Sequence, residues 1–157
     1  MLSGYRIDVR DDLPVIIACI TFPPRLDVER MFAQIARDIQ PHLGDSNSLT
    51  YRINDLSIYD NINIATHVIR GMVNEVRGWP GTNSDPRVFS ILVGKGDNIR
   101  LLIENLRSPK YGSWNIQAFD TLAQALDQIA RWERGEDARP PTRLSSETVG
   151  LEPRTAI

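Results

Sequence analysis

Apolar positions along this chain change period several times, and each change marks an element. Tyr5 to Val9 alternates in the two-residue period of a strand. A turn cluster, Arg10-Asp11-Asp12-Leu13-Pro14, then leads into the β-branched run Val15-Ile16-Ile17-Ala18-Cys19-Ile20-Thr21-Phe22, halted by Pro23-Pro24. Two such runs predict a hairpin, and the second is apolar on both faces, as a strand inside a covered sheet should be. From Asp27 the period lengthens. Val28, Met31, Phe32, Ile35, Ala36 and Ile39 recur at three- and four-residue steps, which predicts a helix with Asp27 as cap and Pro41 as stop.

After a polar loop at 44–48, residues 49–57 return to strand character. A second helix is predicted over 61–77, with Ala65, Val68, Ile69, Met72, Val73 and Val76 as its inner stripe and Gly78 at its C-terminal position. A loop at 81–86 precedes a strand at 87–93, and Gly94-Lys95-Gly96 forms a turn. Asp97 is expected to cap a third helix over 98–106, whose inner residues are Ile99, Leu102, Ile103 and Leu106. A short strand at 115–119 and a fourth helix close the pattern. Asp120 or Thr121 should cap that helix, and Gly135 should end it.

The predicted order is ββαβαβαβα. It implies an α/β fold with a mainly parallel sheet of four to five strands, an N-terminal antiparallel hairpin, and helices covering the sheet. The length of 157 residues suits one domain, expected over 1–135. Residues 136–157 carry Pro140-Pro141, Pro153 and few large aliphatics, so they read as a mobile polar tail. The formal charge of −2 gives no electrostatic footprint for nucleic acid. One cysteine, no signal-peptide core and no run of about 18 apolar residues lead to the expectation of a reduced, cytoplasmic protein without membrane insertion.

Candidate chemistry is sparse. Asp55 and Asp60 fall near the carboxyl end of a predicted parallel strand, where open α/β sheets bind ligands, but capping and strand-end hydrogen bonds account for both. Gly94-Lys95-Gly96-Asp97 precedes a helix and could attract an anion, yet it lacks the spacing of any phosphate-binding motif. His42 and His67 have no cysteine or carboxylate at metal-ligand spacing, so neither a metal nor a cofactor is expected. Cys19 in an apolar strand should be an inert thiol. Trp79, Tyr111 and Trp114, with Arg52, Lys95, Arg107 and Lys110, read either as interface residues or as covers for the sheet's ends. Arg131, Trp132 and Arg134 fit dipole pairing and stem burial at the end of the last helix.

Three segments carry a family resemblance. They are the strand end Asp55-Leu56-Ser57 running into a helix, the strand Val88-Phe89-Ser90-Ile91-Leu92-Val93-Gly94, and the closing pattern Ile116-Gln117-Ala118-Phe119-Asp120-Thr121-Leu122-Ala123-Gln124-Ala125-Leu126. Over residues 5–134 the layout resembles the bacterial anti-sigma-factor-antagonist-like (STAS-like, SpoIIAA-like) superfamily. In that family a serine in an Asp-Ser-Ser/Thr-Gly segment accepts a phosphoryl group. The matching segment here is Asp60-Asn61-Ile62-Asn63, which offers no hydroxyl, and Thr66 lies one helical turn later. The resemblance therefore implies a non-catalytic regulatory module that binds a protein partner or itself. Tyr59, Asp60, Asn61, Ile62 and Lys95 are its expected binding residues. The alternative is a domain that takes a small apolar, anionic or lipid ligand in a cleft at the strand carboxyl ends.

Overall fold

The N-terminal runs do pair as a hairpin. In a computed structural model, which describes residues 4–21, 28–45, 48–59, 80–83, 85–109 and 116–141, β1 (Tyr5–Val9) lies antiparallel to β2 (Val15–Ile20). The remaining strands, β3 (Thr50–Asp55), β4 (Val88–Val93) and β5 (Gln117–Phe119), continue the sheet in parallel, in the spatial order β1-β2-β3-β4-β5. The protein is thus α/β with a five-stranded mixed sheet. Three helices are described: α1 (Val28–Ile39), α2 (Asp97–Arg107) and α3 (Leu122–Glu133). The helix expected over 61–77 lies outside the described residues.

Strand order that advances in one direction, with crossovers of one hand, sets successive crossover helices on the same face of the sheet. Accordingly α1 and α2 share a face. Ile16, Ala18 and Ile20 of β2 and Leu92 of β4 pack there with Phe32, Ile35 and Ile39 of α1 and Ile99, Leu102 and Leu106 of α2. Among the described residues, the opposite face is closed by α3. Val15, Ile17, Tyr51, Ile53, Phe89, Ile91 and Val93 meet Ala125 and Ile129 on that side. Trp132 completes this closing face, stacked on Tyr51 at 6.0 Å between ring centroids and edge-on to Phe89 at 5.5 Å. Rings at such separations contribute beyond their buried area.

Helix ends follow their chemistry, with one correction. Thr121 caps α3, its hydroxyl oxygen accepting from the Gln124 N–H at 3.2 Å, and Gly135 follows the helix with φ of 72°. Asp97 does not cap α2 as expected. Gly96 occupies the cap with φ of 93° and ψ of 179°, a conformation open only to glycine, and Asp97 starts the helix in an ion pair with Arg100 at 3.6 Å. Contacts with the domain continue past Gly135. Asp137 pairs with Arg131 at 3.1 Å, and the Arg139 guanidinium donates to the Tyr51 hydroxyl at 3.0 Å while lying over its ring.

Candidate functional site

Parallel strands send their carboxyl ends to one edge of a sheet, and the loops leaving there form the usual binding surface of open α/β folds. Leu56, directly after β3, is buried, and its N–H donates to Val93 O at 2.8 Å, which fixes the exit of β3 against that of β4. The chain then turns through a short 3-10 segment, Ser57–Tyr59. Asp55 holds that turn, because its Oδ1 accepts from both the N–H and the hydroxyl of Ser57, at 3.0 and 2.5 Å. One oxygen of this carboxylate is thereby engaged in holding the turn. Beyond it Ile58 is 53% exposed, one of three large apolar side chains, with Val9 and Leu101, that face solvent among the described residues.

The next strand leaves the same edge through Gly94-Lys95-Gly96. Gly94 N–H bonds Phe119 O at 3.0 Å, so the exits of β4 and β5 are also tied together. Lys95 is exposed on this loop. Tyr59 and Lys95 therefore stand on loops leaving adjacent strands. The other expected binding residues, Asp60, Asn61 and Ile62, lie outside the described residues, as do Thr66, Trp79, Lys110, Tyr111 and Trp114.

A cleft of about 350 Å³ opens beside this loop, between β5 and α2. Gly96, Ile103 and Phe119 supply apolar and backbone surface, and Arg100 and Arg107 with Glu104 and Asp120 supply its charge, two of each sign. Arg107 is partly occupied, donating to Ile116 O at 3.1 Å. Among the described residues no group of three or more His, Cys, Asp or Glu side chains is placed to hold a metal ion. Cys19 is half-buried in β2, where burial first and the charge of Asp55 second push its thiol up, away from the nucleophilic thiolate. His42 is exposed in a 3-10 turn after α1.

The most elaborate chemistry in the fold was not expected. Arg52, read from sequence as an interface or end-covering residue, is fully buried in the middle of β3, together with Asn54. Its guanidinium donates to Gly81 O at 2.8 Å and to Asn54 Oδ1 at 3.2 Å, and lies 5.9 Å from the centre of the Phe32 ring. Asn54 and Ser90 both donate to Asn83 Oδ1, at 3.2 and 2.8 Å. Asp85 accepts from Gly81 N–H and from the backbone and side chain of Arg87. Burial pushes the Asp85 carboxyl up, but those donors outweigh it and hold the group below the ordinary carboxylate value. This network fastens the loop before β4 onto the crossover face. The available signal was the alternation Thr50-Tyr51-Arg52-Ile53-Asn54 in a strand that both neighbours cover.

No protein-family model matches this chain, and neither a curated protein nor a solved structure does.

Proposed function

We propose that this chain is a non-catalytic, STAS-like regulatory module that binds a protein partner through the loops leaving β3 and β4. One observation carries the reading. Ile58 is exposed at the carboxyl end of the central strand, on a turn whose only nearby described carboxylate, Asp55, is engaged by Ser57 through one oxygen. Among the described residues nothing covers the exposed half of Ile58, and a partner's surface that buries it gains the apolar area. The strand order and the antiparallel first pair are compatible with the family layout, and the corner segment at 60–63 offers no hydroxyl to phosphorylate. The module therefore works as a docking surface without a phosphoryl switch at that corner.

The test is site-specific photo-crosslinking in the native cell. A photoreactive side chain at Ile58 or Lys95 should give the same discrete protein adduct, and one at Arg30 on α1 should not. Adducts that are absent, or identical from all three positions, would overturn the reading. A second reading, a small-ligand site, is favoured by the cleft between β5 and α2. Amide shifts confined to Gly96, Arg100 and Phe119 on titration with inorganic phosphate or short-chain carboxylates would select it.

A further inference from the structure

The sheet ends laterally on β1, which among the described residues pairs with β2 alone. At the two ends of that hairpin Arg10 N–H bonds Val15 O at 3.0 Å and Thr21 N–H bonds Gly4 O at 2.8 Å. Antiparallel ladders alternate hydrogen-bonded with non-hydrogen-bonded pairs. With Arg6 opposite Cys19 and Asp8 opposite Ile17, the even-numbered residues of β1 turn their N–H and C=O groups toward β2. Ile7 and Val9 turn theirs outward.

Side chains divide by the same alternation. Arg6 and Asp8 project on the closing face, Arg6 exposed and Asp8 half-buried, in an ion pair at 2.9 Å. Ile7 and Val9 project on the crossover face, and Val9 is 43% exposed. They border a groove of about 680 Å³ between β1 and the end of α1, whose far wall is Arg37, Pro41 and His42.

We propose that β1 is a self-association edge, through which two copies of this chain pair antiparallel about a two-fold axis at Ile7. Charge complementarity selects the occupant. That axis sets Arg6 opposite Asp8 of the second copy, and Asp8 opposite its Arg6. Both fall at non-hydrogen-bonded pairs, where facing side chains stand closest. The Ile7 N–H and C=O meet the C=O and N–H of the second copy's Ile7, so outward backbone groups find partners in the same register. Val9 of each copy comes to lie over the groove. Proteins blunt sheet edges with charged side chains, lysine above all, which repel a like-charged copy. Here one charge of each sign is placed symmetrically about the strand centre. A contact of this kind uses the same patch twice and closes at two. It lies on the lateral edge of the sheet, apart from the carboxyl-end loops of the proposed function.

Sedimentation velocity and amide hydrogen exchange on the full chain test this together. The expected result is a concentration-dependent dimer, in which exchange at Ile7 and Val9 slows with concentration while Arg6 and Asp8 are unchanged. Arg6→Asp sets two carboxylates opposite each other at both charge pairs and should weaken the dimer by about tenfold or more. The double variant Arg6→Asp with Asp8→Arg keeps one charge of each sign and should restore it. Thermal unfolding of the double variant checks that the monomer is intact. A monomer at every concentration up to about 1 mM would overturn the proposal. So would a dimer indifferent to Arg6→Asp, or one whose protected amides lie elsewhere.

Discussion

Strand β3 faces two different interiors. Tyr51 and Ile53 enter a layer of rings and aliphatic side chains under α3, whereas Arg52 and Asn54 enter a buried polar layer beneath the crossover elements. The first layer is non-directional, and burial at roughly 25 cal/mol per Å² rewards any filling of the right volume. The second is directional, because each buried donor or acceptor left without its partner costs about 1–3 kcal/mol. Both faces are equally closed to water, so the difference lies in how strictly each specifies its neighbours. The closing face holds the sheet together. The crossover face fixes where one loop, residues 80–83, must lie.

Three substitutions would break or sharpen that contrast. Phe89→Ala on the closing face should cost the most, about 4 kcal/mol, because it empties a ring site that touches both Tyr51 and Trp132. Urea unfolding measures it, and a loss near 1 kcal/mol would mean that the aromatic layer simply collapses into the gap. Gly81→Ala comes next, at about 3 kcal/mol. Its Cβ would lie 2.2 Å from Ala36 O, at a φ of +82° that a side chain strains. The same unfolding assay reads the loss, and hydrogen exchange should quicken at Asn83 more than at Ile53. Uniform exchange across both residues would dissolve the contrast between the faces.

Asp85→Asn should cost about 2 kcal/mol, since the ion pair with Arg87 at 2.9 Å becomes a neutral contact. It also carries a pH signature. The folded Asp85 value is depressed, so its contribution is present above the unfolded value of about 3.9 and is lost as pH falls through the folded value. The native chain should therefore lose stability below about pH 4 more steeply than the Asn variant does. Parallel acid profiles of the two would assign the steepness to another carboxylate.

Element identity was legible wherever the period was long and the terminators strong, as in α1 with its stripe from Met31 to Ile39 or β2 before Pro23. Thr121 was legible as a cap because Ser, Thr, Asp and Asn are the residue types that can accept from the first turn. Asp97 misled for the same reason. The preceding Gly96 took the cap by backbone conformation, which a side-chain preference does not register. Arg52 was missed more fundamentally. Polarity in a strand is ordinarily a sign of solvent, and only the pairing of β3 with both β2 and β4 reveals that its polar positions are interior. Of the candidate site, the corner after β3 and the Gly94-Lys95-Gly96 loop were each visible as turns, but their shared edge is a property of strand adjacency alone.

The monotonic strand order has a consequence for how the chain comes together in time. Each strand is laid beside the one made just before it, but the three parallel pairings join residues some 26 to 38 positions apart, and such non-local pairing slows folding. During synthesis the sheet grows by accretion, from β1 outward, with α1 and then α2 covering the crossover face as they form. Among the described residues, the other side gains its helix only at the end. Among the described residues, Tyr51 and Phe89 gain their aromatic cover when α3 arrives with Trp132, and Tyr51 gains a further contact from Arg139. A nascent chain arrested before α3 therefore lacks the helix and the ring that seal Tyr51 and Phe89, and offers that apolar surface to the chaperones it meets.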